Sequence, residues 1–115
     1  MIVVIFEVQP HAESVDDYFD IAAAMRPLLD EVDGFISVER FQSLTNPDKI
    51  LSLSFFEDES AVVRWRKLVA HRRAQASGRT RLFRDYRLRV AHVIRDYGKY
   101  ERDEAPEDSR KVHES

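Results

Sequence analysis

The chain has 115 residues, 43% hydrophobic and 34% charged, with no cysteine and a formal net charge of −3. That length fits one domain able to bury its own core. The missing thiols exclude disulfides, thiolate zinc sites, iron–sulfur clusters and cysteine nucleophiles, which suits a reducing, cytoplasmic setting. The longest uncharged apolar run, Met1–Phe6, is far short of the ~20 residues of a membrane span. It also lacks the charged start and cleavage site of a signal peptide, so neither a membrane nor an export route is expected.

The small net charge conceals a polar layout. Residues 1–63 carry 13 acidic and 3 basic side chains, residues 64–100 carry 2 and 12, and the last fifteen carry 6 and 3. A near-neutral total argues against a general nucleic-acid binder. The basic segment leaves room for an anionic ligand or for a contact between two copies, against the plain reading of two solvated faces.

Met1–Val8 is β-branched and aromatic on both alternating faces and reads as a buried strand. Pro10 marks a loop over Gln9–Glu13, and Ser14 with Asp17 three residues on reads as a helix cap. Tyr18, Ile21, Ala22, Met25, Leu28, Leu29 and Val32 follow at helical spacing, with a kink expected at Pro27 and a stop at Gly34. Phe35–Leu44 reads as a second strand, Thr45-Asn46-Pro47-Asp48 as a turn, and Lys49–Glu57 as the returning strand. In that third strand Leu51, Leu53 and Phe55 face one way and Ser52, Ser54 and Phe56 the other.

Asp58 can cap a second helix whose apolar stripe holds Ala61, Trp65, Leu68 and Val69, and which stops at Ser77-Gly78. A short segment, Leu82–Tyr86, leads to a last strand near Arg87–Asp96. Residues 1–100 form the domain. Residues 101–115, without apolar periodicity, read as a charged, mobile C-terminal tail.

The order β-α-β-β-α-β defines an α+β, ferredoxin-like antiparallel sheet with both helices on one face. Strands one and three are nevertheless apolar on both faces, and Ser52 and Ser54 let another layer approach closely. A second cover is needed, and the simplest is a second copy, giving a homodimer. RNA-recognition modules share the order but display stacking aromatics on the third strand, where this chain has Leu51 and Leu53.

The element order, the stretch Asp33-Gly34-Phe35-Ile36-Ser37-Val38-Glu39 and the single Trp65 in helix two resemble the antibiotic-biosynthesis monooxygenase family over about residues 1–97. The resemblance implies a dimeric α+β barrel. It also implies, as the leading activity, metal-free and flavin-free oxidation of an electron-rich phenol or quinol with no cofactor. Haem-degrading relatives supply the alternative, and a non-catalytic small-molecule-binding module a third reading. The haem-degrading pattern sets a histidine about ten residues after the helix-two tryptophan and an asparagine on strand one. Here those positions hold Gln75 and Glu7, and His71 is the displaced candidate ligand.

Four residues are the candidate catalytic set. Trp65 reads as a core anchor or as the wall of an aromatic pocket. Arg87 and Arg89 share a face of the last strand and suit a phenolate, a quinone oxygen or a carboxylate, unless they are surface charge. His92, on the face of Leu88 and Val90, reads as a satisfied core histidine or as a general base. Trp65 and the two arginines are expected to line one pocket. Glu7, Phe55, His71 and Gln75 are the candidate substrate-binding residues. Glu7, if inward, needs an arginine partner or a raised pKa. His11 and His113 read as exposed and silent. No spacing of ligand residues suggests a metal site, and three glycines make no phosphate loop.

Overall fold

β1 (Ile2–Pro10) is the strand around which the domain forms, with Ile2, Val4, Val8 and Pro10 buried. The computed structural model describes residues 1–75 and 83–114, with side chains described for 1–69 and 83–110. The strand runs two residues beyond expectation. Pro10 is tolerated at its end, where the register to the neighbouring strand shifts and no ladder donor is required. A 3₁₀ turn, Ala12–Ser14, then enters α1 (Val15–Asp30). Ser14 does not cap with its side chain, contrary to expectation. Its backbone N–H donates instead to the His11 carbonyl at 2.8 Å.

α1 continues through Pro27, which sits on its exposed side. Its buried residues, Tyr18 and Leu29, stand eleven positions apart, about 16 Å along one face of a helix. They therefore belong to different parts of the core. The helix ends before Gly34, whose φ of +90° lies in a region open to glycine. The Gly34 carbonyl accepts the Glu57 N–H at 2.8 Å. A Cβ placed there would stand 2.8 Å from that of Ala61.

β2 (Phe35–Gln42) and β3 (Ile50–Phe56) form the expected hairpin. Ser43 closes the turn, with its N–H on the Lys49 carbonyl and its Oγ accepting from the Asn46 N–H at 3.1 Å. Asp58 caps α2 (Glu59–Gln75) as expected, accepting the Ala61 N–H at 2.9 Å. The stop expected at Ser77-Gly78, and Leu82 of the following segment, lie outside the described residues. β4 spans Phe83–His92, so it takes in the rest of that segment and starts four residues early.

The sheet order β2-β3-β1-β4, antiparallel throughout, is the ferredoxin-like arrangement. Register fixes which side chains share a face. Val4 lies opposite Ser54 and Val90, and Phe6 opposite Ser52 and Leu88. That face meets the helices. One core cluster joins Val4, Phe56, Leu29 and Ala61, with Trp65 packed against it. A second joins Val8, Tyr18 and Ile50, with Phe6 and Phe83. The small serines of β3 thus admit the helices rather than another sheet. The opposite face carries Val3, Ile5, Leu51, Leu53 and Phe55, all half-buried.

The C-terminal residues are not structureless. α3 (Glu107–Glu114) is held by Arg102, whose two Nη atoms donate to the Gly98 carbonyl and to Ser109 Oγ at 2.8 and 2.7 Å. The Arg102 guanidinium also covers the Tyr97 ring at 5.4 Å. These contacts are polar and local, so apolar periodicity does not reveal them.

Candidate functional site

The strand-borne candidates separate by register. Glu7 lies opposite Leu51 and Arg87, and Ile5 opposite Leu53 and Arg89. Glu7, Phe55, Arg87 and Arg89 therefore stand together on the sheet face away from the helices. Glu7 takes the arginine partner that an inward carboxylate needs. Arg89 Nη1 donates to its Oε2 at 2.9 Å, and Lys49 Nζ lies 4.0 Å from Oε1. The Arg89 hydrogen bond, then the Lys49 charge, hold the Glu7 carboxyl below its usual range. Glu7 is thus a fixed anion, and the raised pKa of a general base is not found. Arg87 and Arg89 are exposed on this face.

Trp65 and His92 belong to the other side. Trp65 is half-buried, its ring 5.8 Å from that of Phe56 and tilted by 48°. The sheet separates it from Arg87 and Arg89, so within one chain these three do not line a single pocket. His92 lies on the helix-side register and is exposed. Its Nε2 is 3.9 Å from Glu59 Oε1. The side chains of His71 and Gln75 lie outside the described residues, as does that of His113.

A cleft of about 610 Å³ opens at one end of the sheet, where β1 and β2 end and β3, β4 and α1 begin. That size lies within the range of small-molecule sites. Pro10, Val15, Phe19 and Ile50 give it apolar walls, and His11, Arg40, Asp48 and Arg84 bring polar groups to it. Among the described residues, none of the sequence-derived site residues lines it, and His11, expected to be silent, does.

Local folding explains this wall. The Pro10 register shift and the 3₁₀ turn precede α1, and His11 and Ala12 of that turn line the cleft with Val15. Arg40 pairs with Ser52 in the ladder, which sets it on the helix side. Its Nε is sealed from solvent without a hydrogen-bond acceptor. Arg84 is engaged, donating to Gln9 Oε1 at 2.8 Å. The signal for Arg40 was present in β2: Val38, Arg40 and Gln42 alternate on one face, and Val38 packs against the core. Among the described residues, no three His, Asp or Glu side chains group as a metal would require.

The sequence model of antibiotic biosynthesis monooxygenases matches residues 1–77. A curated relative, the jasmonate monooxygenase ABM of Pyricularia oryzae, is 47% identical over 93 residues, covering 81% of this chain. The chain spans 43% of that relative's length. A Deinococcus radiodurans structure described as belonging to the same monooxygenases superposes with a TM-score of 0.71 at 12% identity, covering 85% of this chain and 97% of its own. The MhuD mutant solved with two manganese protoporphyrin IX molecules per active site gives 0.68 at 17% identity, covering 85% and 99%. At these identities the two structures speak for the fold alone.

Proposed function

The chain belongs to the antibiotic biosynthesis monooxygenase family, and from that premise we propose that it is an oxygenase inserting one atom of O₂ into a small, largely apolar organic molecule. The observation that carries this reading is the cleft, with apolar walls and polar groups converging at one end. The substrate class put first is an electron-rich phenol or quinol. A phenol and O₂ yield a quinone and water with all electrons drawn from the substrate, so no added reductant is consumed. The protein's part is to favour the substrate anion, which hands an electron to O₂. Cations near the developing charge do this in a site screened from water. Arg40 and Arg84 bring such charge to the cleft, and His11 is the base within it. Jasmonate, named for the Pyricularia oryzae relative, is the second substrate to try.

The working form is proposed to be a homodimer. Both described core clusters lie on the helix side of the sheet, so the face carrying Val3, Ile5, Leu51, Leu53 and Phe55 is the one a second copy would close. A cytoplasmic location suits the absence of cysteine.

The test is oxygen uptake by chelator-treated protein with a naphthol-type quinol alone, or with jasmonate and an added two-electron reductant, which must supply the electrons that jasmonate lacks, followed by mass analysis after ¹⁸O₂. Incorporation of one labelled atom above the protein-free background is expected. His11→Ala should slow turnover by about 10²-fold, the lower range for losing a positioned base. Background rates with every compound would refute the oxygenase reading.

A further inference from the structure

We infer that Arg40 is the anchor for a substrate carboxylate, so that the cleft takes an apolar molecule bearing one acidic group. The inference rests on reading the cleft as the substrate site. Arg40 makes no hydrogen bond or ion pair with any described residue, and its Nε is cut off from solvent. A guanidinium cannot shed its charge as a buried lysine or carboxyl can. The sealed Nε leaves the guanidinium poorly solvated on one side, and its Nη donors, without a partner among the described residues, are the ones an oxyanion in the cleft can engage.

Two other arginines behave differently. Arg102 also has a sealed Nε, but both its Nη atoms are bonded within the chain. Arg84, on the same cleft wall, is held by Gln9. Of these three, Arg40 alone has both Nη groups without a partner among the described residues, and it lines the cleft.

The surroundings define the ligand further. Asp48 also lines the cleft and makes no salt bridge with Arg40. Among the described residues lining the cleft, one acid stands against Arg40 and Arg84, a single excess positive charge. That suits a monoanion and disfavours the dianionic head of a phosphate ester. Val15, Phe19 and Ile50 supply the apolar wall for the rest of the molecule. A planar carboxylate fits the guanidinium fork through paired hydrogen bonds.

The probes are octanoate, its uncharged methyl ester and inorganic phosphate, titrated calorimetrically into the full chain. Octanoate should bind at least tenfold tighter than the ester, the scale of a charge-assisted hydrogen bond. Arg40→Gln should abolish that difference, Arg40→Lys should keep part of it, and Arg26→Gln, on the far end of α1, should leave it intact. Phosphate should not compete. A second measurement needs no variant: the ¹⁵N-detected Arg40 guanidinium signal should move with octanoate and not with the ester.

Equal binding of acid and ester, no binding of either, a preference surviving Arg40→Gln, competition by phosphate or an unmoved Arg40 signal would each overturn the assignment. Oxygen uptake separates this from the function itself. If no compound is oxidised but the acid preference holds and depends on Arg40, the oxygenase reading fails and the anchor stands. If an acidic substrate is oxidised with unchanged KM in Arg40→Gln, the anchor fails and the oxygenase stands.

Discussion

Replacing Gly34 by alanine sets two separable strains into one position. The backbone there has a φ of +90°, where an L-residue is disfavoured by ~1–2 kcal/mol. The new Cβ would lie 2.8 Å from the Cβ of Ala61, an overlap of the kind that costs about 1–3 kcal/mol in a packed core. Ala61 is fully buried on a capped helix end, so neither partner yields easily. Together these give a loss of about 2–5 kcal/mol, which lowers the melting temperature of a domain this size by roughly 10–30 °C.

Urea denaturation of four proteins, wild type, Gly34→Ala, Ala61→Gly and the double variant, separates the strains. Ala61→Gly alone loses up to ~1 kcal/mol of helix propensity. In its background Gly34→Ala should cost only the backbone part, leaving a coupling of about 1–3 kcal/mol between the sites. A Gly34→Ala loss below ~1 kcal/mol, or the same loss in both backgrounds, would refute the reasoning.

Three further outcomes are expected. Glu7 is held below its usual 4.5 by Arg89 and Lys49, so its ion pair stabilises the fold above that value and fades as pH falls through the lowered one; Arg89→Gln should raise the Glu7 titration midpoint in carboxyl NMR, and an unchanged midpoint would show the pair absent in solution. Light scattering at micromolar concentration should give about twice the 13.5 kDa chain mass, and Leu53→Asp, on the sheet face away from the helices, should return the monomer; a wild-type monomer would remove the case for a dimer. Truncation after Tyr100 should shift the melting temperature by less than ~4 °C, since the contacts of Arg102 are local; a lost dimer would place α3 in the interface.

The strands, their faces and the helix start at Asp58 were legible because alternation and capping act over a few residues. Leu51, Leu53 and Phe55 separate from Ser52, Ser54 and Phe56 in the sequence as they do in the sheet. Which face would meet the helices was not legible. It is decided by register across three strands, and with it the separation of Trp65 from Arg87 and Arg89. The pairing of Glu7 with an arginine of the last strand could be foreseen, because an ionised group on an apolar strand face needs an opposite charge. The cleft could not. Its walls come from five segments spread between Pro10 and Arg84, and no local spacing encodes their meeting. The early start of β4 at Phe83 escaped because that residue's role, packing on Phe6 and Tyr18, is set by distant partners.

β4 is an end strand of the sheet, ten residues long, with Leu88 and Val90 about half exposed on one side. Its outer edge is a row of backbone donors and acceptors that could template another strand. Arg84, Arg87 and Arg89 stand along that strand against Asp85 and the Glu7 paired with Arg89, and the remaining positive charge on two such edges repels on approach. The colloidal behaviour of the protein is therefore tied to these three guanidinium groups. Salt that shortens the Debye length to ~3 Å near 1 M weakens the repulsion while the apolar side chains remain. Stocks kept at modest ionic strength should stay clear, and arginine-to-serine changes along β4 should cloud them even where the fold itself is unharmed.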